Sequence, residues 1–174
     1  MSETKPDSEL VAVVNKIKYR ICNEYFSTGA LAALKRVDPK NPLSATAPLH
    51  RLLAEYVPEA WLRGETLAPW ILLVHLLGLA APNGLAQNPR LGEALFNADY
   101  KEGRLTRLLK SRPEDFPAVL PRMVRFLRAK GETVNAEQLA SFVLFHKEAD
   151  YLSIATDYYR AEAKSIKKIA NDAA

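Results

Sequence analysis

The run Trp70–Ala81, WILLVHLLGLAA, puts twelve residues in a row with His75 as their single strongly polar side chain. Wound as a helix, such a run has no polar face, so it has to be covered on every side. A bilayer span needs about 20 apolar residues, and this stretch is too short. It therefore reads as the buried centre of a helical bundle, from about Leu67 to Leu79, closed by the stop signal Ala81-Pro82-Asn83-Gly84. At 174 residues the chain is long enough to bury roughly 70% of the surface its unfolded form exposes.

The remainder supports helices around that centre. Leu and Ala supply 50 residues against 16 for Val and Ile, and no β-branched run alternates over strand length. The expected fold is all-α: a compact bundle of about eight or nine helices, or two small lobes. The lobes would be residues 1–84 and residues 85–174, the second carrying the basic face, divided at the loop APNGLAQNP.

A first helix is expected with Ser8 as its cap and Leu10, Val14, Ile17, Ile21 and Tyr25 as its apolar stripe. Thr28 is the expected cap of a second helix, which Asp38-Pro39 ends. A third follows near Pro48–Tyr56. Beyond the apolar run, helices are expected at about Pro89–Asn97, Lys101–Leu109 and Phe116–Ala129, the last stopped by Gly131. Asn135 caps the next, which continues or kinks into a final helix ending in a frayed NDAA.

Reactive constellations are absent from the pattern. His50, His75 and His146 are far apart, and no HExxH, CxxC or paired histidines occur, so no metal site is expected. His75 is expected to be a core or cleft histidine with a local hydrogen bond, and Cys22 a small packed side chain. A lone cysteine forms no internal disulfide. No phosphate-cradling glycine loop and no nucleophile elbow appear, and carboxylate pairs such as Asp99 with Glu102 occur by chance on helices. No catalytic residue and no cofactor is expected. MSETKPDSEL does not have the form of a secretory signal, so a cytoplasmic protein without membrane contact is expected.

Charge is the informative feature. The formal net charge is +4, yet Lys101–Lys130 alone carries +6, with nine basic residues against Glu102, Glu114 and Asp115. Arg122, Arg125 and Arg128 fall within an arc of about 120° when a helix turns 100° per residue, opposite Leu120, Met123, Val124 and Leu127. Arg104 and Arg107 repeat the arrangement at i, i+3 beside Leu105, Leu108 and Leu109. Rows of guanidinium groups without local carboxylates suit a phosphate backbone. Nothing in the pattern points to base readout, so salt-dependent, sequence-blind contact is the better fit.

These segments resemble a known family. RLGEALFNADYKEGRLTRLLKS followed by LPRMVRFLRAKG is similar to the CasB family, the small subunit of the type I-E CRISPR surveillance complex, Cascade. Leu91, Gly92, Ala94 and Leu95 match its first element; Glu102, Arg104, Arg107, Leu108 and Leu109 its second; Arg122, Arg125 and Leu127 its third. TGALAALKRV, with Lys35 and Arg36, and PLHRLLAEY, with Arg51, resemble its earlier helices. Glu93 departs from the family pattern, in which a basic residue often follows the glycine. The resemblance spans about Thr28 to Tyr159. It implies an all-helical, non-catalytic protein present in two copies, contacting the backbone and large subunits, guide RNA and target DNA, and holding the displaced strand.

Lys35, Arg36, Arg51, Arg104, Arg107, Arg122, Arg125 and Arg128 are accordingly the expected nucleic-acid contacts. Two other classes stay open at this point: a helical adaptor whose basic face docks an acidic protein, and a transcriptional regulator. Salt titration separates the adaptor from the nucleic-acid reading, and a footprint on one duplex sequence would favour the regulator.

Overall fold

The structure, a computed structural model, describes residues 5–173, with side chains from Ser8 onward. Among these the chain forms nine α-helices: α1 Lys5–Cys22, α2 Thr28–Arg36, α3 Ala47–Tyr56, α4 Leu67–Ala80, α5 Leu91–Asn97, α6 Glu102–Leu109, α7 Phe116–Ala129, α8 Ala136–Leu144 and α9 Glu148–Asp172. No strand occurs among the described residues, only an isolated bridge between Leu85 and Val134. The fold is all-α, as the leucine and alanine content requires. No described helix is long and apolar enough to cross a membrane.

The apolar run lies at the centre. Trp70 through Gly78 are all buried in α4, and α1, α2, α3, α7 and α8 pack around it. Each Leu fully removed from water contributes about 2 kcal/mol, so Leu73, Leu76 and Leu77, all without exposed surface, anchor the bundle. One contiguous core runs from Leu10 of α1 to Tyr158 of α9.

His75 is the polar exception, and it is fully buried. Its Nδ1 lies 2.8 Å from the Leu34 carbonyl oxygen, an acceptor that places the proton on Nδ1 and ties α4 to α2. The other ring nitrogen, Nε2, has no partner. A second proton there would be buried and unsatisfied. Burial accordingly holds the imidazole pKa below its ordinary value; the Leu34 bond opposes this, the Arg125 charge adds to it and Asp38 opposes it.

Local chemistry moves several helix ends. α1 starts at Lys5, so Ser8 lies inside it and does not cap it. α1 also stops at Cys22, before the stripe reaches Tyr25, which is 80% exposed. Asn23 is the cause: its side chain accepts the Tyr25 N–H at 2.9 Å and its carbonyl accepts the Phe26 N–H at 2.9 Å, turning the chain. The α2 cap is Ser27, accepting the Ala30 N–H at 3.1 Å, one residue before the expected Thr28.

Asn135 caps α8 as its sequence indicates, accepting from the Gln138 N–H at 2.9 Å. Gly131, at φ +78°, ends α7 in the left-handed region open to glycine. α8 and α9 are separate helices, broken at His146 with φ +39°. α9 stays helical to Asp172 where fraying was expected, and it exposes Ile166 and Ile169 past Ala161, its last buried residue.

The α5–α9 contact is the most extensive between helices among the described residues. Arg90 pairs with Asp157 at 2.6 Å and donates to Ser153 at 2.7 Å, while Gln138 of α8 accepts the free Leu91 N–H at 2.6 Å. Gly92 makes the approach possible: a Cβ there would sit 2.1 Å from the Ile154 carbonyl oxygen and 2.8 Å from the Tyr158 nitrogen. Both are helix backbone and cannot yield.

Two outcomes follow from this packing. Gly92→Ala should destabilise the chain by about 3 kcal/mol, the upper range for overpacking, visible as a lower Tm; an unchanged Tm would contradict the contact. His75, with its folded pKa lowered, binds a proton more readily when unfolded. Its contribution is therefore complete above about pH 6.5 and declines as pH falls from there toward the folded pKa. Thermal unfolding across that window should show a shallower pH dependence for His75→Leu than for the parent chain, and parallel curves would contradict the assignment.

Candidate nucleic-acid interface

The basic segment folds into α6 and α7, and their amphipathic pattern sets which side chains face out. Leu105 and Leu108 are buried while Arg104 and Arg107 are exposed. Leu120, Met123, Val124 and Leu127 are buried while Arg122 and Arg125 are exposed. Between the two helices runs an open groove of about 280 Å³, lined by Tyr100, Arg104, Arg107, Leu108, Val119, Arg122 and Phe126. Three of the expected arginines therefore meet on one surface feature.

Phe126 organises the groove. Tyr100 packs edge-on to it with ring centroids 5.3 Å apart. The Arg104 guanidinium lies 5.2 Å and the Lys130 ammonium 5.8 Å from its ring centroid. Cation–π contact positions a guanidinium without neutralising it. Burial raises the Tyr100 pKa, and the Arg104 charge acts against that rise, as the closeness of the two requires.

Charge in the groove is uncompensated. Among the described residues, none of Arg104, Arg107 and Arg122 belongs to an ion pair. The nearby acids are engaged: Asp99 pairs with Lys101, which lowers its pKa, and Glu102 accepts from the Tyr159 hydroxyl at 2.8 Å. Three guanidinium groups around an aromatic and aliphatic floor, with no carboxylate among the lining residues, can bind an anion.

Other expected contacts lie elsewhere. Arg128 does not share the outward row: it is half-buried, its side chain lies over Gly84, and it donates to the Glu132 carbonyl at 2.9 Å. It braces the end of α7 against the loop after α4. Arg125 is exposed and does not line the groove. Lys35 and Arg36 are exposed in the last turn of α2, where they also complement the helix dipole. Arg51 is exposed on α3 and lines a separate groove with Arg20.

The remaining candidates for chemistry are dispersed. His50 and His146 are exposed on separate elements. Cys22 is half-buried and burial pushes its thiol pKa up, away from the thiolate a nucleophile needs. No group of three or more His, Cys, Asp or Glu that could hold a metal occurs among the described residues. The sequence pattern did not single out Tyr100, Val119 and Phe126, because an aromatic at helical spacing reads as core. The available signal was Phe126 at i+4 from Arg122, on the same face.

A family model described as CRISPR-associated protein Cse2 matches residues 30–159, a span containing α3 to α8 entire, nearly all of α2 and the first half of α9. No curated protein and no solved structure matches. The matched span covers most of the chain and every residue lining the α6–α7 groove, and on it the chain belongs to the CRISPR-associated Cse2 family, the CasB family that its arginine-leucine segments resemble.

Proposed function

We propose that this chain is the non-catalytic small subunit of a type I-E Cascade complex and that it holds the displaced non-target DNA strand, stabilising the R-loop by sequence-independent backbone contacts. One observation carries the proposal: Arg104, Arg107 and Arg122 line one open groove, and none is in an ion pair. A groove of that kind suits a phosphate chain and offers nothing that distinguishes one base from another. Membership of the Cse2 family supports the setting.

The energetic role is modest and sufficient. In RNA-guided DNA recognition, exchange of a DNA duplex for a guide–target hybrid is close to balanced, so contacts to the released strand can tip it. Lys35, Arg36, Arg51 and Arg125 extend the proposed contact set beyond the groove. The backbone and large subunits, a second copy and the guide RNA are the other proposed partners.

The test is a salt titration of the full chain with mixed-sequence single-stranded DNA. Removing one cation that neutralises a phosphate should flatten the slope of log K against log salt by about 0.7, so Arg104→Ala/Arg107→Ala/Arg122→Ala should flatten it by about 2. These side chains are exposed, so unfolding free energy should stay within about 0.5 kcal/mol. The same variant in the assembled complex should shorten the R-loop lifetime. Arg128→Ala should do the reverse, lowering stability by about 1 kcal/mol with little change in slope. An unaltered slope and R-loop lifetime in the triple variant would overturn the proposal, and a defect confined to binding an acidic protein would favour the adaptor reading.

A further inference from the structure

A second groove, of about 250 Å³, opens at the junction of α1, α2 and α3, lined by Arg20, Tyr25, Phe26, Ser27, Ala30, Pro48, Arg51, Leu52 and Glu55. Its make-up differs from that of the α6–α7 groove. Tyr25 is 80% exposed, a large aromatic ring turned to water on a turn held by two hydrogen bonds that Asn23 accepts. In the same groove the Arg20 guanidinium lies over the Phe26 ring, 5.5 Å from its centroid. Arg51 adds a second cation, and among the described residues neither arginine is in an ion pair.

We infer that this groove is a base-stacking subsite for single-stranded nucleic acid, with Tyr25 as the platform for a base and Arg20 and Arg51 as contacts for the flanking phosphate. The choice of a nucleic acid as occupant rests on the function proposed above. The exposed ring of Tyr25 offers an apolar face that the face of any base can cover. A guanidinium plane is a second surface on which bases stack. Glu55 lines the same groove and bears like charge to a phosphate, so the phosphate belongs on the arginine side; the carboxylate can accept hydrogen bonds from base amino groups. The helical pattern of α1 masks the subsite, because Tyr25 continues the apolar spacing of Ile17 and Ile21.

Stacking and phosphate contact are separable by using two strands of equal length and charge, one with bases and one abasic. For the full chain, Tyr25→Ala should weaken binding of the base-bearing strand about tenfold, within the range measured for such stacking. It should leave the abasic strand and the salt slope unchanged. Tyr25→Phe and Tyr25→Trp should retain the parent affinity. The exposure of Tyr25 predicts no change in Tm, which checks that the variants fold.

Equal affinity of the parent chain for both strands would overturn the inference while leaving the α6–α7 phosphate groove standing. So would a Tyr25→Ala chain indistinguishable from the parent, or one impaired only toward a protein partner. A parent chain that binds neither strand would instead sink the function on which the inference rests. An Arg104, Arg107 and Arg122 triple variant weakened equally toward both strands, in which Tyr25→Ala still costs about tenfold on the base-bearing strand alone, would show the two grooves acting independently.

Discussion

A helix that is apolar on every side dictates the rest of this molecule. α4 can be stable in water only if other helices enclose it, and α1, α2, α3, α7 and α8 do so. Enclosure also sorts the charges. A guanidinium beside α4 would have to be desolvated at a cost of several kcal/mol; Arg122 and Arg125 of α7 are exposed, and Arg128 is half-buried only at the helix end. His75, the fully buried polar group of α4, enters as a neutral ring bonded to the Leu34 carbonyl oxygen. The outward basic surface is thus a consequence of how the interior is filled.

The α6–α7 groove shows how positive charge can be concentrated without being cancelled. Like charges repel, and surfaces usually relieve this by interspersing acids. Here the adjacent acids are drawn off, Asp99 to Lys101 and Glu102 to Tyr159, while Phe126 attracts Arg104 and Lys130 to its ring. The ring quadrupole holds cations in place and leaves their charge available to an anion. Exposed charges of this kind are screened within about 8 Å at physiological salt, so the groove acts on what lies in it and only weakly at a distance.

Helix positions were legible in the sequence wherever the apolar period and a strong stop coincided. Phe116–Ala129, ended by Gly131, and the Asn135 cap are instances. Periodicity misled where a side chain outcompeted it. Tyr25 sits at the right spacing for α1, yet Asn23 turns the chain first. The arginines of α6 and α7 were legible as outward residues from their angles alone. Arg128 was not, since an angle on one helix does not reveal that the loop at Gly84 will cover it. Phe126 and Tyr100 were equally hidden, because only the meeting of two helices makes them the floor of a groove.

α9 continues from its contact with Gly92 to Asp172 without a joint. The last buried residue, Ala161, stands about 17 Å from Asp172 at 1.5 Å per residue. That length is a lever arm fixed at one end, and the clasp of α5 on Ile154 and Tyr158 is the most extensive of the contacts that set its aim. A tilt of about 10° at the clasp would carry the far end about 3 Å sideways, by the same rise per residue. A residue without a side chain thereby helps to decide where the far turn of α9 points.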